Sequence, residues 1–308
     1  MSQSEHFLNG LITAAYGKRG RLLTANGTEH RFLLKGRKLK PVCGDRVDWS
    51  KATTGDTVIL ESLQQRRNIL QRSGHKGTAD VMAANLDVVL IVLAAQPKPD
   101  FFLTDRYIAT AESMGCEAVI VRNKADLSGK LDQSTEAEMR NYAKLGYRTI
   151  LSSAKDIIGI SDLSAALRSR TGILVGQSGV GKSSLINALI PTAAVAVADL
   201  SAGTQEGRHT TTASMMHSVA VGGGKNGWLI DSPGVRDFLP YFGDTRDIQA
   251  GFIEIHKAAD ECRFANCQHL REPGCAVKAG IETDTITQRR YDSYKRLYHM
   301  TAEARLTP

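Results

Sequence analysis

Residues 176–183 read Gly176-Gln177-Ser178-Gly179-Val180-Gly181-Lys182-Ser183, a full match to G-x-x-x-x-G-K-[ST]. The glycines let the backbone curl until its N–H groups converge on phosphate oxygens. At this spacing the Lys182 ammonium reaches β- and γ-phosphates, the Ser183 hydroxyl is suited to Mg²⁺, and Ser184 opens the following helix. A phosphate loop does not choose a base, but Asn123-Lys124-Ala125-Asp126, directly after an apolar run, can. A carboxylate at Asp126 accepts from both N1–H and the 2-amino group of guanine. Adenine supplies neither donor and leaves the carboxylate desolvated and unpaired, a mismatch of about 10⁴ in specificity. An adenine nucleotide remains the alternative only if Asp126 does not read the base.

Further segments suit the phosphate end. Asp231-Ser232-Pro233-Gly234 closes a short apolar run. Asp231 there could hold Mg²⁺ through water, and the Gly234 N–H could meet a γ-phosphate. Upstream lies Gly207-Arg208-His209-Thr210-Thr211-Thr212. One of these threonines, with Thr211 and Thr212 preferred, would ligate Mg²⁺ only when the γ-phosphate is present, which makes a switch. Ser153 and Ala154, after the run Tyr147–Leu151, could offer a backbone N–H to guanine O6. The order of these pieces is unusual. The base-reading motif precedes the phosphate loop, whereas in ordinary small GTPases it follows, so the order is circularly permuted.

The elements that must position these residues follow from hydropathy. Up to about residue 70, short apolar or alternating runs (10–16, 20–24, 30–34, 46–49, 57–60) are separated by turn signals such as Asn26-Gly27. That spacing predicts a small β-barrel, with the five-stranded oligonucleotide-binding (OB) fold as the candidate. Residues 71–83 are rich in small and polar residues and read as a linker or loop. Strand and helix patterns then alternate: strands at 86–94, 117–122, 147–151 and 171–175, helices at 104–114, 133–144 and 161–168. This predicts a parallel sheet covered on both faces. Runs at 215–221 and 228–231, joined by Gly222-Gly223-Gly224, add an antiparallel pair and bring the sheet to six strands. Helices at 248–260 and 286–304 bracket a cysteine cluster. The predicted domains are a barrel at 1–72, an α/β nucleotide-binding core at 80–240 and a helical region at 241–308.

In that last region Cys262, Cys267, His269 and Cys275 offer three thiolates and an imidazole within fourteen residues. Four such ligands close a tetrahedron around Zn²⁺ and leave no open position, so the site is expected to be structural. An iron–sulfur cluster is less suited with His present. Cys43 and Cys116 stand apart and read as small buried hydrophobes. An odd total of five cysteines argues against a disulfide framework.

Composition sets the remaining bounds. The 308 residues, 42% hydrophobic and 23% charged, describe an ordinary globular chain and exclude dominant disorder, collagen and coiled coil. The longest apolar run, near Leu86–Ala95, is too short to cross a bilayer. Without a signal-peptide pattern at the N-terminus, a cytoplasmic protein without membrane contact is expected. The net charge is +7, unevenly spread: 18–40 carries eight basic residues (Lys18, Arg19, Arg21, Arg31, Lys35, Arg37, Lys38, Lys40) against Glu29 alone. That suits a polyanion. Arg289, Arg290, Lys295 and Arg296 form a second basic set, and Tyr291, Tyr294 and Tyr298 share one helix face, a stripe that reads as core packing rather than base stacking.

The permuted order, the G-R-H-T-T-T segment and the Cys/His spacing together resemble the bacterial ribosome small-subunit-dependent GTPase A family, along nearly the whole chain. The resemblance implies a P-loop GTPase core between an OB barrel and a zinc-binding helical domain. It also implies GTP and GDP as ligands, Mg²⁺ as cofactor, a structural zinc on Cys262, Cys267, His269 and Cys275, and a monomer acting on the small ribosomal subunit and its 16S rRNA in late maturation. The residue after Gly234 is Val235, where Ras-type enzymes carry a water-orienting glutamine. Slow intrinsic hydrolysis, stimulated by the subunit, is therefore expected. Lys182 and Gly234 would act on the γ-phosphate, with His209 the candidate to orient water. The alternative is an RNA-binding scaffold for which GTP is a structural ligand and turnover incidental.

Overall fold

The computed structural model describes residues 8–34, 38–52, 57–74, 78–127, 133–190, 214–224, 226–232 and 240–306. Of the first five strands, β2 (Arg19–Thr24), β4 (Arg46–Lys51) and β5 (Thr57–Leu63) bury alternate residues, β3 (Glu29–Leu34) buries Phe32, and β1 (Leu8–Tyr16) buries Ile12, Thr13 and Ala14 in succession at a register shift. They close in the order β1–β2–β3–β5–β4–β1, with β3 and β5 parallel and the other pairs antiparallel. Closure removes the free edges that a small sheet would expose. Ile12, Leu22, Phe32, Val47, Trp49, Val58 and Leu60 fill the interior. This is the five-stranded barrel the hydropathy predicts.

Residues 71–73 and 79–83 are not linker or loop. They lie in two antiparallel strands, β6 (Ile69–Ser73) and β7 (Ala79–Ala84). The strand signal is weak because the buried positions are largely alanine: Ala83 and Ala84 lie beside Leu70 and Met82 in the core. The hairpin touches all three regions. Ala84 N donates to Cys43 O in the barrel. Asn68, just before β6, donates to Leu86 O and Met114 O in the α/β core. Gln71 O accepts from Tyr241 N at the start of the helical region.

The α/β core follows with β8 (Val88–Ala94), α1 (Phe101–Ser113), β9 (Glu117–Asn123), α2 (Gln133–Lys144), β10 (Arg148–Leu151), α3 (Ile160–Ala166), β11 (Thr171–Gly176), α4 (Lys182–Leu189), β12 (Met215–Val219) and β13 (Gly227–Asp231). Among the described residues these six strands run in the order β10–β9–β8–β11–β13–β12, parallel except for β12. Every residue of the central β8 is buried, as expected for a strand covered on both faces. Val89, Ile91 and Leu93 pack on one side with Tyr107, Ile108 and Tyr142, whereas Val88, Leu90 and Val92 pack on the other with Leu163, Leu185 and Ile186. At Ala14↔Met215, β1 pairs with the edge strand β12, so the barrel wall continues into the sheet.

The helical region contains α5 (Thr245–Ala250), α6 (Ile253–Ala259), α7 (Ala276–Glu282) and α8 (Gln288–Leu306). The single helix predicted at 248–260 is thus two. The chain turns at Gly251, where a Cβ would lie 2.7 Å from the Ala109 backbone of α1. That close approach of two backbones outweighs local helical periodicity. Among the described residues no helix is long and apolar enough to cross a membrane.

Candidate functional site

The described residues of the predicted nucleotide site gather at the carboxyl ends of the parallel strands, where open α/β sheets bind ligands. β11 runs into the 176–183 loop, β9 ends at Asn123, β10 leads to Ser152 and Ser153, and β13 ends at Asp231. Val180 is buried and anchors the loop, leaving Ser178, Gly179, Ser183 and Ser184 exposed. Gly181 has φ +94°, and a Cβ there would stand 2.4 Å from Asn123 Nδ2. Glycine is therefore required both by the backbone conformation and by the neighbouring motif. Lys182 Nζ donates to the carbonyls of Gly176 (2.5 Å) and Gln177 (2.8 Å), which keeps its ammonium at the mouth of the loop.

The Asn123–Asp126 segment is fastened to that loop. Asn123 Nδ2 donates to Val180 O (2.9 Å), and Asn123 Oδ1 accepts from Ser152 Oγ. Lys124 Nζ donates to Gly179 O (2.7 Å) and Gln96 O (2.9 Å). Asp126 Oδ1 accepts from Ser153 Oγ at 2.9 Å, and the same hydroxyl accepts from Asp156 N. Asn123 and Lys124 thus bond to the loop itself, whereas Asp126 is oriented from the side by Ser153. Ala154, next in the chain, is half-buried. At the phosphate end, Ser183 lies in the first turn of α4 and Asp231 faces Met215 across β12–β13. His209, Thr210, Thr211, Thr212, Gly234 and Val235 lie outside the described residues.

The cysteine cluster is assembled. One ligand atom from each of Cys262, Cys267, His269 and Cys275 falls within 4.8 Å of the others. His269 Nδ1 stands 3.5 Å from both Cys262 Sγ and Cys275 Sγ, and those sulfurs are 4.0 Å apart. A tetrahedral zinc with bonds of about 2.3 Å to sulfur and about 2.0 Å to nitrogen needs S···N near 3.5 Å and S···S near 3.8 Å. The set therefore fits and could hold a zinc ion. Burial pushes the Cys267 thiol up to about 12, so a thiolate at this position needs a cation beside it.

The loop around the cluster is held from two sides. The Glu272 carboxylate accepts from the N–H groups of Gln268, Leu270 and Arg271. The tyrosine stripe of α8 packs inward as predicted: Tyr291 Oη donates to His269 O (2.6 Å) and Tyr294 Oη to Gln268 O (3.0 Å). The free thiols elsewhere also behave as predicted. Cys43 and Cys116 are buried, and burial pushes Cys43 up to about 12 and Cys116 to about 11.

The second basic set does not face outward as a whole. Arg290 is 1% exposed. Its Nη1 donates to Asp105 Oδ1 (2.9 Å), and its Nε and Nη2 make a bidentate pair with Glu254 (2.7 and 3.0 Å). Arg289 Nη1 donates to Asp105 Oδ2 (2.6 Å), and Tyr142 Oη also donates to Asp105. Burial works against the charged form of Arg290, but Asp105 and Glu254 more than offset it and hold its pKa well above the ordinary value. This cluster fastens α8 and α6 to α1 and α2. Sequence spacing gives no sign of it, because Asp105 and Arg290 are 185 residues apart.

A P-loop on an α/β sheet, preceded in the chain by its base-reading motif, defines a circularly permuted GTPase. The comparisons agree. The family model for the RsgA GTPase matches residues 63–239. "Small ribosomal subunit biogenesis GTPase RsgA" of Chromohalobacter salexigens is 37% identical over 292 residues, covering 95% of this chain and 83% of that protein. The Pseudomonas aeruginosa protein of the same name is 38% identical over 289 residues, covering 94% and 84%. Among solved structures, YjeQ from Thermotoga maritima superposes with a TM-score of 0.74 at 26% identity, covering 96% of this chain and 99% of that one. YloQ, described as a circularly permuted GTPase, gives 0.70 at 26% identity, covering 98% of each. The chain belongs to the RsgA GTPase family.

Proposed function

We propose that this GTPase acts in biogenesis of the small ribosomal subunit, in the cytoplasm and as a monomer, binding the subunit through 16S rRNA in its GTP state and leaving after hydrolysis. The observation that carries the reading is the fastening of Asn123 and Lys124 to the Val180 and Gly179 carbonyls, which sets a guanine reader at a fixed distance from a phosphate loop. The names of the relatives supply the subunit. The units in this reading are a barrel at 1–72 that contacts RNA, a GTPase core at 80–240 and a zinc-binding helical region at 241–308.

Asp126 selects guanine, with Ser153 and Ala154 closing the base pocket. The N–H groups of 176–184 cradle the phosphates, and Lys182 and a Gly234 N–H stabilise charge on the γ-phosphate as water attacks. Ser183, Asp231 and Thr211 or Thr212 would hold Mg²⁺, which neutralises charge on the phosphates when bound. Zinc on Cys262, Cys267, His269 and Cys275 is structural. With Val235 unable to orient water, His209 does so when the subunit is bound.

Steady-state GTP hydrolysis, alone and with purified small or large subunits, tests the reading, with Lys182→Ala as the blank. Stimulation by small subunits alone is expected. Flat, slow turnover in every mixture overturns the subunit-triggered mechanism, and full stimulation retained by His209→Ala removes that residue from the chemistry.

A further inference from the structure

The barrel, the β6–β7 hairpin and the outer edge of the sheet enclose a cleft of about 640 Å³, lined by none of the residues assigned above to nucleotide or metal. Leu34, Leu39, Val42 and Met82 give it an aliphatic floor, and Lys18, Lys40, Arg66 and Arg72 line it with cations. Asp80 is the carboxylate in the lining and pairs with Arg72 at 3.4 Å. Arg66 makes a bidentate pair with buried Asp45 behind it, at 2.7 and 2.8 Å. Four cations therefore face two carboxylates. At the inner end stand the hydroxyls of Ser214 and Ser232, bonded to each other at 2.7 Å.

We propose that this cleft holds an unpaired nucleotide of single-stranded RNA, its base against the aliphatic floor and its phosphates on Lys18, Lys40 and Arg72. The volume lies in the range of sites for ligands of that size. A nucleotide carries a flat apolar face and an anion in one unit, which matches a floor and rim of these two kinds. An acidic side chain supplies only the anion. The cationic rim also continues outward: Arg19, Arg31 and Lys38 are exposed on the same barrel, a track for the flanking phosphates. Ser214 and Ser232 give hydroxyls for a base edge or a 2′-OH. Ser232 adjoins Asp231, so an occupant of the cleft sits one residue from the proposed Mg²⁺ site.

The inference rests on the RNA-contact reading and narrows it to a place. The test is ultraviolet crosslinking of a thiouridine-containing hexauridylate to the full chain at low salt, with binding followed by fluorescence anisotropy. Crosslinks are expected within residues 39–42 and 79–82. Val81→Trp, which fills the cleft, should weaken binding about five-fold or more, the worth of a single buried base, with GTP affinity unchanged. Lys40→Glu, at an exposed position, should weaken it without disturbing the fold. Crosslinks confined to Arg19 and Arg31, with Val81→Trp and Lys40→Glu silent, overturn the cleft while leaving RNA contact by the barrel intact. Absence of hexauridylate binding overturns both. Decaglutamate binding that Val81→Trp abolishes, with RNA crosslinks outside 39–42 and 79–82, overturns the nucleotide and assigns the cleft to an acidic peptide instead.

Discussion

Two basic stretches look alike in the sequence and end in opposite surroundings. Lys18, Arg19, Arg31, Lys38 and Lys40 of the barrel stay in water, whereas Arg289 and Arg290 of α8 are drawn in against Asp105, Glu254 and Glu138. Glu29 makes a partly exposed 3.3 Å pair with Arg21, and among the described residues no ion pair engages Lys18, Arg19, Arg31, Lys38 or Lys40. Cation density alone thus does not mark a partner surface. What decides is whether acids elsewhere in the fold reach the cations first. The barrel keeps these charges in water, and α8 uses Arg289 and Arg290 to hold itself against α1, α2 and α6.

The largest expected effect comes from metal removal, which separates the two regions outright. Chelation should release amide protection in 253–298 and leave the barrel strands protected, because the barrel closes on its own core and the cysteine loop relies on its ligands. Hydrogen exchange with and without chelator checks this, and equal loss in both regions would break the contrast.

Arg290→Ala comes next. It leaves the Glu254 carboxylate without its cation and takes one of three donors from buried Asp105, which keeps Arg289 and Tyr142, at a cost of about 3 kcal/mol. Arg31→Ala on the exposed barrel face should stay within about 0.5 kcal/mol. Denaturant unfolding of the two variants side by side reads the difference.

Salt sharpens the same comparison at smaller magnitude. Lys18→Ala and Lys38→Ala should each reduce the slope of log affinity against log salt for single-stranded RNA by about 0.7, if each meets one phosphate. Arg290→Ala, measured where it remains folded, should leave that slope alone. The smallest effect is Tyr294→Phe, which removes the bond to Gln268 O and should lower stability by about 1 kcal/mol without changing RNA affinity. A changed salt slope in this variant would place the tyrosine stripe on an RNA surface after all.

How much was legible follows from the range of each interaction. The phosphate loop, the Asn123–Asp126 segment and the Cys262–Cys275 cluster are local strings whose spacing dictates their chemistry, and the structure assembles each of them. Barrel and sheet strands were legible because alternation and continuous apolar runs report the faces they bury. The β6–β7 hairpin was not, since alanines at its buried positions resemble a linker. The break at Gly251 was not, since its cause is the backbone of Ala109 in another helix.

The sequence by itself determined the phosphate-loop, Asn123–Asp126 and Cys/His motifs, their permuted order and the run of barrel, sheet and helical stretches, because short-range spacing and hydropathy carry that information. Only the tertiary structure decided which charges are paired inside the protein and which remain in water, and that β1 joins β12 while the hairpin bonds to barrel, sheet and helical stretches alike. Those outcomes depend on pairings between residues far apart in the chain, and the electrostatic and packing energies that select them exist only once the fold has brought the partners together.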